Sequence, residues 1–182
     1  MDFPLRPATP ADVPAVAALI DRSVRALSAG YYTDAQIESA LRYVFGVDSQ
    51  LVRDGTYYVI AAAGGPAAAG GWSRRRTLHG GDQTKGAEDP SLDPAADPAR
   101  IRAFFADPAW ARRGLGRRLF EACAAAAGAA GFRSLELMAT LPGVPFYGAL
   151  GFAAVERTAA TLPDGEVLAL VRMTRPLSGD FA

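Results

Sequence analysis

The chain has very little of the residue types that carry most metal and redox chemistry. Among its 182 residues there is one cysteine, Cys123, one histidine, His79, and one lysine, Lys85. A lone cysteine excludes an intrachain disulfide and a cysteine-based zinc site. Net charge is also missing, because 19 basic and 19 acidic residues cancel. The overall field therefore gives no footprint for nucleic acid or for an anionic membrane surface. No apolar run is long enough to span a bilayer, and the start, Met1-Asp2-Phe3-Pro4, lacks a basic region followed by an apolar one. Cytoplasmic location is the default expectation. Neither of two common phosphate signatures occurs. The position three after Gly116 is Leu119, so Gly-x-Gly-x-x-Gly fails, and no Gly-Lys-Ser/Thr exists.

Half the residues are hydrophobic, which is enough for a sizeable core. The length suits one domain, expected over 1–177, with 178–182 as a frayed tail. Neither an internal repeat nor an interdomain linker is visible.

The most informative stretch runs from Phe104 to Arg118. An apolar run, Ile101 to Ala106, is stopped by Asp107-Pro108, because proline cannot donate to a sheet ladder. Gly114 and Gly116 follow, among Arg112, Arg113, Arg117 and Arg118. Leu115, Leu119, Cys123 and Ala126 or Ala127 then fall at helical spacing. Strand, glycine turn and helix start together make a generic anion site. The first N–H groups of a helix have no internal partner and lie at the positive end of its dipole. Glycine lets a phosphate approach that backbone, and arginines add charge and forked donors. The rival reading is a solvated arginine face on an alanine-rich helix. Cys123, on the apolar stripe, reads as core rather than as a nucleophile.

Taken in order, the chain predicts a short strand over Phe3 to Arg6 and a capped helix start at Thr9-Pro10-Ala11-Asp12. That helix carries Val13, Val16, Ala17, Ile20, Val24 and Leu27 on one face. A second capping box, Thr33-x-x-Gln36, opens the next helix, which Gly46 stops. Thr56 to Ala63 and Ala67 to Thr77 predict an antiparallel hairpin around Gly64-Gly65-Pro66. The polar, aperiodic segment His79 to Ala99 is long for a loop and reads as a flap near a substrate. Ser134 to Ala139 predicts a strand, Pro145 to Leu150 a short helix, and Phe152 to Thr158 with Val167 to Thr174 a final hairpin around Pro163-Asp164-Gly165.

Ala111-Arg112-Arg113-Gly114-Leu115-Gly116 resembles the Gln/Arg-x-x-Gly-x-Gly/Ala motif of the GCN5-related N-acetyltransferases, the GNAT superfamily. Ala111 departs from the usual first residue; the backbone cradle does not depend on that side chain. Downstream, Phe146-Tyr147-Gly148-Ala149-Leu150-Gly151-Phe152 resembles the superfamily's Phe-Tyr-x-x-x-Gly-Phe. Both motifs stand in the family's order, and the resemblance reaches over most of the chain. It implies one α/β domain with a mostly antiparallel sheet splayed near its centre and helices on both faces. It implies acetyl-CoA as co-substrate, with no metal, and acetyl transfer to an amine by direct attack in a ternary complex.

The resemblance also implies roles. Arg112, Arg113, Gly114, Leu115, Gly116 and Arg117 would hold the pyrophosphate. Backbone groups of Phe104, Phe105 and Ala106 would meet the pantetheine arm, one N–H polarising the thioester carbonyl. Tyr147 would protonate the departing thiolate; a phenol of pKa about 10 can serve a thiolate near 8.5 only with help from hydrogen bonding and product stabilisation. A lysine-type amine, with a pKa of about 10.4, must first lose a proton. Glu136, alternating with Leu135 and Leu137, is the candidate base, with a solvated or salt-bridged glutamate as the rival reading. Glu88, Asp89, Asp93 and Asp97 are rivals if the long loop closes, and His79, a lone histidine at a strand end, is a further candidate whose rival reading is structural. Tyr31 and Trp72, with Tyr32 and Tyr58, are candidates for the acceptor pocket, although all are equally good core aromatics. Arg74 to Arg76 read as a solvated face. The acceptor would be a small-molecule or peptide amine, and a homodimer would be ordinary. The alternative function is a non-catalytic acyl-CoA-binding regulatory module, which would keep the glycine turn and not need Tyr147.

Overall fold

A computed structural model describes residues 3–86 and 89–177. The expected tail and Glu88 lie outside the described residues. Among the described residues, seven strands form one sheet in the order β1-β2-β3-β4-β5-β7-β6. They are β1 (Leu5–Pro7), β2 (Tyr57–Ala62), β3 (Gly65–Ser73), β4 (Ala99–Ala106), β5 (Ser134–Thr140), β6 (Ala153–Thr161) and β7 (Val167–Pro176). Five α-helices accompany them: α1 (Val13–Leu27), α2 (Asp34–Tyr43), α3 (Ser49–Arg53), α4 (Leu115–Ala129) and α5 (Val144–Ala149). This is the expected mixed α/β domain with a mostly antiparallel sheet.

Among the strands described, β4 and β5 form the parallel pair, and it opens the sheet. β4 and β5 pair only at Ala99↔Leu135 and Arg100↔Glu136. Beyond these residues the strands part, and the β5-facing edge of β4 is left without a ladder partner there. A bulge adds to the divergence. The β3–β4 register runs Ala69↔Phe105 and then Gly71↔Arg102, so β4 carries one extra residue. Ala103 takes it up at φ 54°, a left-handed conformation unusual for alanine. Such an insertion bends a strand and re-aims the residues that follow it.

Alternation along β2 sorts the core into two layers. Tyr57 and Val59 face α1 and α2, packing with Val16, Leu19, Ile20, Val24 and Ile37. Ile60 faces α4, with Leu115 and Leu119. Leu135, Leu137 and Ala139 pack with Phe120, Cys123, Ala124 and Ala127, also on the α4 side. Alanine is the best helix former, and its small side chain lets α4 sit close to the sheet. Both expected capping boxes form: Asp12 accepts from Thr9 N–H at 2.7 Å, and Thr33 accepts from Gln36 N–H at 3.2 Å.

The structure departs from expectation around residues 48–97. Helix α3 was not foreseen; it starts because Asp48 caps it, accepting from the N–H groups of Gln50 and Leu51 at 3.1 and 3.3 Å. β3 stops at Ser73 rather than Thr77, because Ser73 Oγ accepts from Arg75 N–H and turns the chain. Arg75 then pairs with Asp54 at 2.7 and 2.9 Å, so this arginine is not part of a solvated face. The segment after it is docked at its beginning. Gly81 N–H reaches Val44 O at 2.8 Å, and Asp82 N–H reaches Val47 O at 3.0 Å.

Candidate active site

A cleft of about 640 Å³ opens where β4 and β5 part. It is lined by the second half of β4, the start of α4, α5, the end of α1, and residues 78–81.

At one end lies the glycine turn. Gly114 is the N-cap of α4 at φ 79° and, having no side chain, leaves the helix start uncapped. The first bond closing the helix runs from Arg118 N–H to Gly114 O, at 3.1 Å. The N–H groups of Leu115, Gly116 and Arg117 precede it and have no intrahelical acceptor. The first turn contains no acidic residue to compensate the dipole. Gly116 is required for another reason: a Cβ there would lie 3.0 Å from the Phe146 ring. The two motifs read separately in the sequence therefore touch. The four arginines divide. Arg112 and Arg117 line the cleft. Arg113 instead stacks over Trp110 at 5.0 Å, and Arg118 donates to Phe3 O at 3.0 Å. Arg113 is thus turned away from the place expected of it, held by a cation–π contact.

Phe104, Phe105 and Ala106 line the middle of the cleft. Tyr147 stands opposite on α5, held edge-on by Phe104, Phe146 and Phe152 at centroid distances of 6.3, 5.0 and 5.8 Å. Burial raises its phenol pKa well above the ordinary value, with the Cys123 thiol adding to the shift. The phenol is therefore protonated throughout the physiological range and can donate. Cys123 itself is fully buried, and burial raises its pKa too, so it is core, as expected.

Glu136, the expected base, is not among the residues that line the cleft. Glu136 shares a face of β5 with Met138 and Thr140, which line the cleft. But Glu136 pairs with Arg100, below the point where the strands part. Both its oxygens are taken by guanidinium groups: Arg100 on one, Arg172 Nη1 at 2.7 Å on the other. A twice-paired, buried carboxylate that does not border the cleft is an ion-pair anchor. Among its described rivals, Asp89 accepts from Thr77 N–H at 2.8 Å, and Asp93 and Asp97 accept from backbone within their own turn. None of these three lines the cleft.

Of the expected acceptor-side aromatics, Tyr31 lines the cleft and is half exposed. Trp72 does not; it is buried against Phe132 at 6.1 Å, because its position in β3 faces the α4 side. Tyr32 is also core, and its hydroxyl donates to Ala169 O at 2.6 Å while accepting from Leu141 N–H at 2.8 Å. That bridge fixes the turn leading into α5, and so the approach to Tyr147.

Sequence reading missed the Asp48–Arg102 pair. Arg102, almost fully buried, lines the cleft floor. Its Nη2 donates to Asp48 at 2.9 Å and to Gly80 O at 2.7 Å; its Nη1 donates to Thr77 O at 2.7 Å. Lys85 takes the other oxygen of Asp48. An arginine inside an apolar strand, Ile-Arg-Ala-Phe-Phe, was the available signal, since a buried charge needs a partner. Among the described residues, no group of His, Cys, Asp and Glu could hold a metal ion.

Residues 91–165 match the family model described as an acetyltransferase (GNAT) domain. No curated protein matches the chain at the level of sequence. Among solved structures, the fold is similar to a GCN5-related N-acetyltransferase of Rhodopseudomonas palustris, with 23% identity, 97% of each chain covered and a TM-score of 0.71. It is also similar to PaiA N-acetyltransferase of Thermoplasma acidophilum, solved with coenzyme A: 13% identity, 97% and 99% coverage, TM-score 0.65. A third is phosphinothricin acetyltransferase of Sinorhizobium meliloti, solved with acetyl-CoA: 23% identity, 98% and 90% coverage, TM-score 0.63. The sequence match covers residues 91–165, and the likeness to these solved structures extends the shared fold over nearly all of the chain.

Proposed function

We propose that the protein transfers an acetyl group from acetyl-CoA to an amine by direct attack within a ternary complex. One observation carries this reading. The uncapped α4 start, the unpaired edge of β4 and the Tyr147 side chain border one continuous cleft. An anion site, an extended backbone edge and a proton donor in that order match a pyrophosphate, a pantetheine arm and a thioester sulfur.

The residues suit that occupant. N–H groups of Leu115, Gly116 and Arg117, with the Arg112 and Arg117 side chains, would take the pyrophosphate. The absent Cβ of Gly116 leaves room for the Phe146 ring beside that turn. Backbone groups of Phe104 to Ala106 would hold the arm and polarise the thioester carbonyl. Tyr147 gives its proton to the sulfur as the C–S bond breaks. The cleft lining also bears on the acceptor. Among its described residues it includes no aspartate or glutamate, while Arg102 and His79 are present. That composition favours an amine with no second positive charge over a polyamine.

The test is thiol release from acetyl-CoA across a panel of primary amines, for wild type and Tyr147→Phe, with coenzyme binding measured in parallel by calorimetry. The expected result is a loss of tenfold or more in kcat, about 1.4 kcal/mol or more, with coenzyme Kd unchanged. Tight coenzyme binding without turnover on any amine would favour the binding module instead.

A further inference from the structure

The direct route needs a group that accepts the ammonium proton of the acceptor, and the expected carboxylate is unavailable for it. Glu136 lies below the cleft with both oxygens paired. The described cleft lining contains no other carboxylate. Its titratable side chains are Tyr31, His79, Arg102, Arg112, Arg117 and Tyr147. The arginines are permanent cations, and phenols are protonated at neutral pH. Among the described lining residues, only the His79 imidazole is free to accept a proton.

The placement of that imidazole is built. His79 is flanked by Thr77 and Gly80, and the carbonyls of both accept from the guanidinium of Arg102, at 2.7 Å each. Arg102 is locked in turn by Asp48, with Lys85 behind it. It belongs to β4, two residues before Phe104, at the bulge where the strand turns its edge to the cleft. The tight turn at Gly80 uses a positive φ of 92°, and a Cβ there would collide with the Thr84 side chain, so the loop has little freedom to reposition. The loop carrying the histidine is therefore pinned to the same strand that would present the thioester.

We propose that His79 is the general base of the acetyl transfer, and that Arg102 and Asp48 act as positioning residues for it. This rests on the acetyltransferase reading above. His79 accepts a proton from the acceptor ammonium, leaving the free amine. The nitrogen forms its bond to the acetyl carbon, and the C–S bond breaks. Tyr147 protonates the sulfur, and the second proton lost by the nitrogen returns to the phenolate. His79 releases its proton to solvent, so one proton leaves per turnover. The charged groups facing this site support the assignment. Burial lowers the imidazole pKa from its ordinary value, and the Arg102 cation lowers it further. His79 is thus unprotonated, and ready to accept, at pH 7.

The chain has one histidine, so the imidazole can be watched directly. Two measurements on the full chain test the proposal. In NMR titrations with and without coenzyme A, the single imidazole resonance is expected to titrate below about 6.5 and to shift when coenzyme binds. In steady-state assays with the best amine of the panel, His79→Gln is expected to lower kcat/KM at pH 7 by tenfold or more. The KM for acetyl-CoA should stay unchanged, and the acid limb of the wild-type pH profile should vanish. The loss should shrink with an aromatic amine, which is already neutral at pH 7. Arg102→Lys should move the acid limb rather than remove it. A His79→Gln enzyme that keeps wild-type kcat/KM and its acid limb overturns the proposal, as does an imidazole that ignores coenzyme. Failure of the wild type to acetylate any amine overturns the acetyltransferase reading itself, and the base assignment with it.

Discussion

Asp48→Asn is the sharpest probe of how the cleft floor is held. Asp48 is fully buried, and its carboxylate meets Arg102, Lys85 and two N–H groups at the start of α3. Asparagine keeps the volume and one capping oxygen, so the helix cap survives and only the charge is lost. Arg102, 2% exposed, then keeps a cation facing two carbonyls with no counter-ion. Removing one member of a buried pair costs about 3–5 kcal/mol, because the remaining charge stays desolvated. At roughly 2–4 °C per kcal/mol for a domain of this size, the melting temperature should fall by about 6–20 °C. Differential scanning calorimetry measures this directly. Arg102→Met and the double variant complete a cycle. In the double variant no uncompensated Arg102 cation remains, so it should lie above the sum of the singles by about 1 kcal/mol or more. High salt should leave these differences intact, because a buried pair is poorly screened. The exposed Arg25–Glu38 pair is the control; breaking it should move the melting temperature little, and that effect should fade with salt. An Asp48→Asn protein that melts within 2 °C of wild type would show that Arg102 is not paid for by this carboxylate, and that the floor is held some other way.

Other expectations follow from single contacts. Gly116→Ala puts a methyl 3.0 Å from the Phe146 ring, so the ring must give. Coenzyme binding by calorimetry should weaken about fivefold, on the order of 1 kcal/mol of overpacking, and Phe146→Leu should recover part of it; unchanged affinity would refute the contact. Cys123, fully buried and with its thiol pKa raised, should resist an aromatic disulfide reagent at pH 8 and react only on unfolding. The carboxyl of Asp54 is held below its ordinary pKa chiefly by the Arg75 guanidinium. A folded-state pKa below the unfolded one gives stability that is full above about pH 4 and is lost as pH falls through the lowered value. Urea midpoints from pH 7 to pH 3 should therefore drop less steeply at the acid end for Asp54→Asn; parallel curves would remove this pair from acid unfolding.

The local grammar of the chain decided much of this protein. Thr9, Pro10 and Asp12, Thr33 and Gln36, Gly46, and Pro108 act on backbone groups within a few residues, so helix and strand limits could be read from them. Ala111 to Gly116 and Phe146 to Phe152 were legible for the same reason, since an uncapped helix start and a tyrosine beside a glycine-ended turn are local arrangements. What could not be read was anything fixed by register or by distant charge. Glu136 has the face expected of a cleft carboxylate, but the two-residue parallel pairing with β4 sets it below the opening, between two arginines. Trp72 and Arg113 have suitable chemistry but spend it on Phe132 and Trp110. Asp48, Arg102 and Lys85 are dispersed in sequence, and only closure of the sheet brings them together beneath His79. Pairing across such separations depends on strand register and on desolvation in the folded interior, and neither exists until the chain has closed.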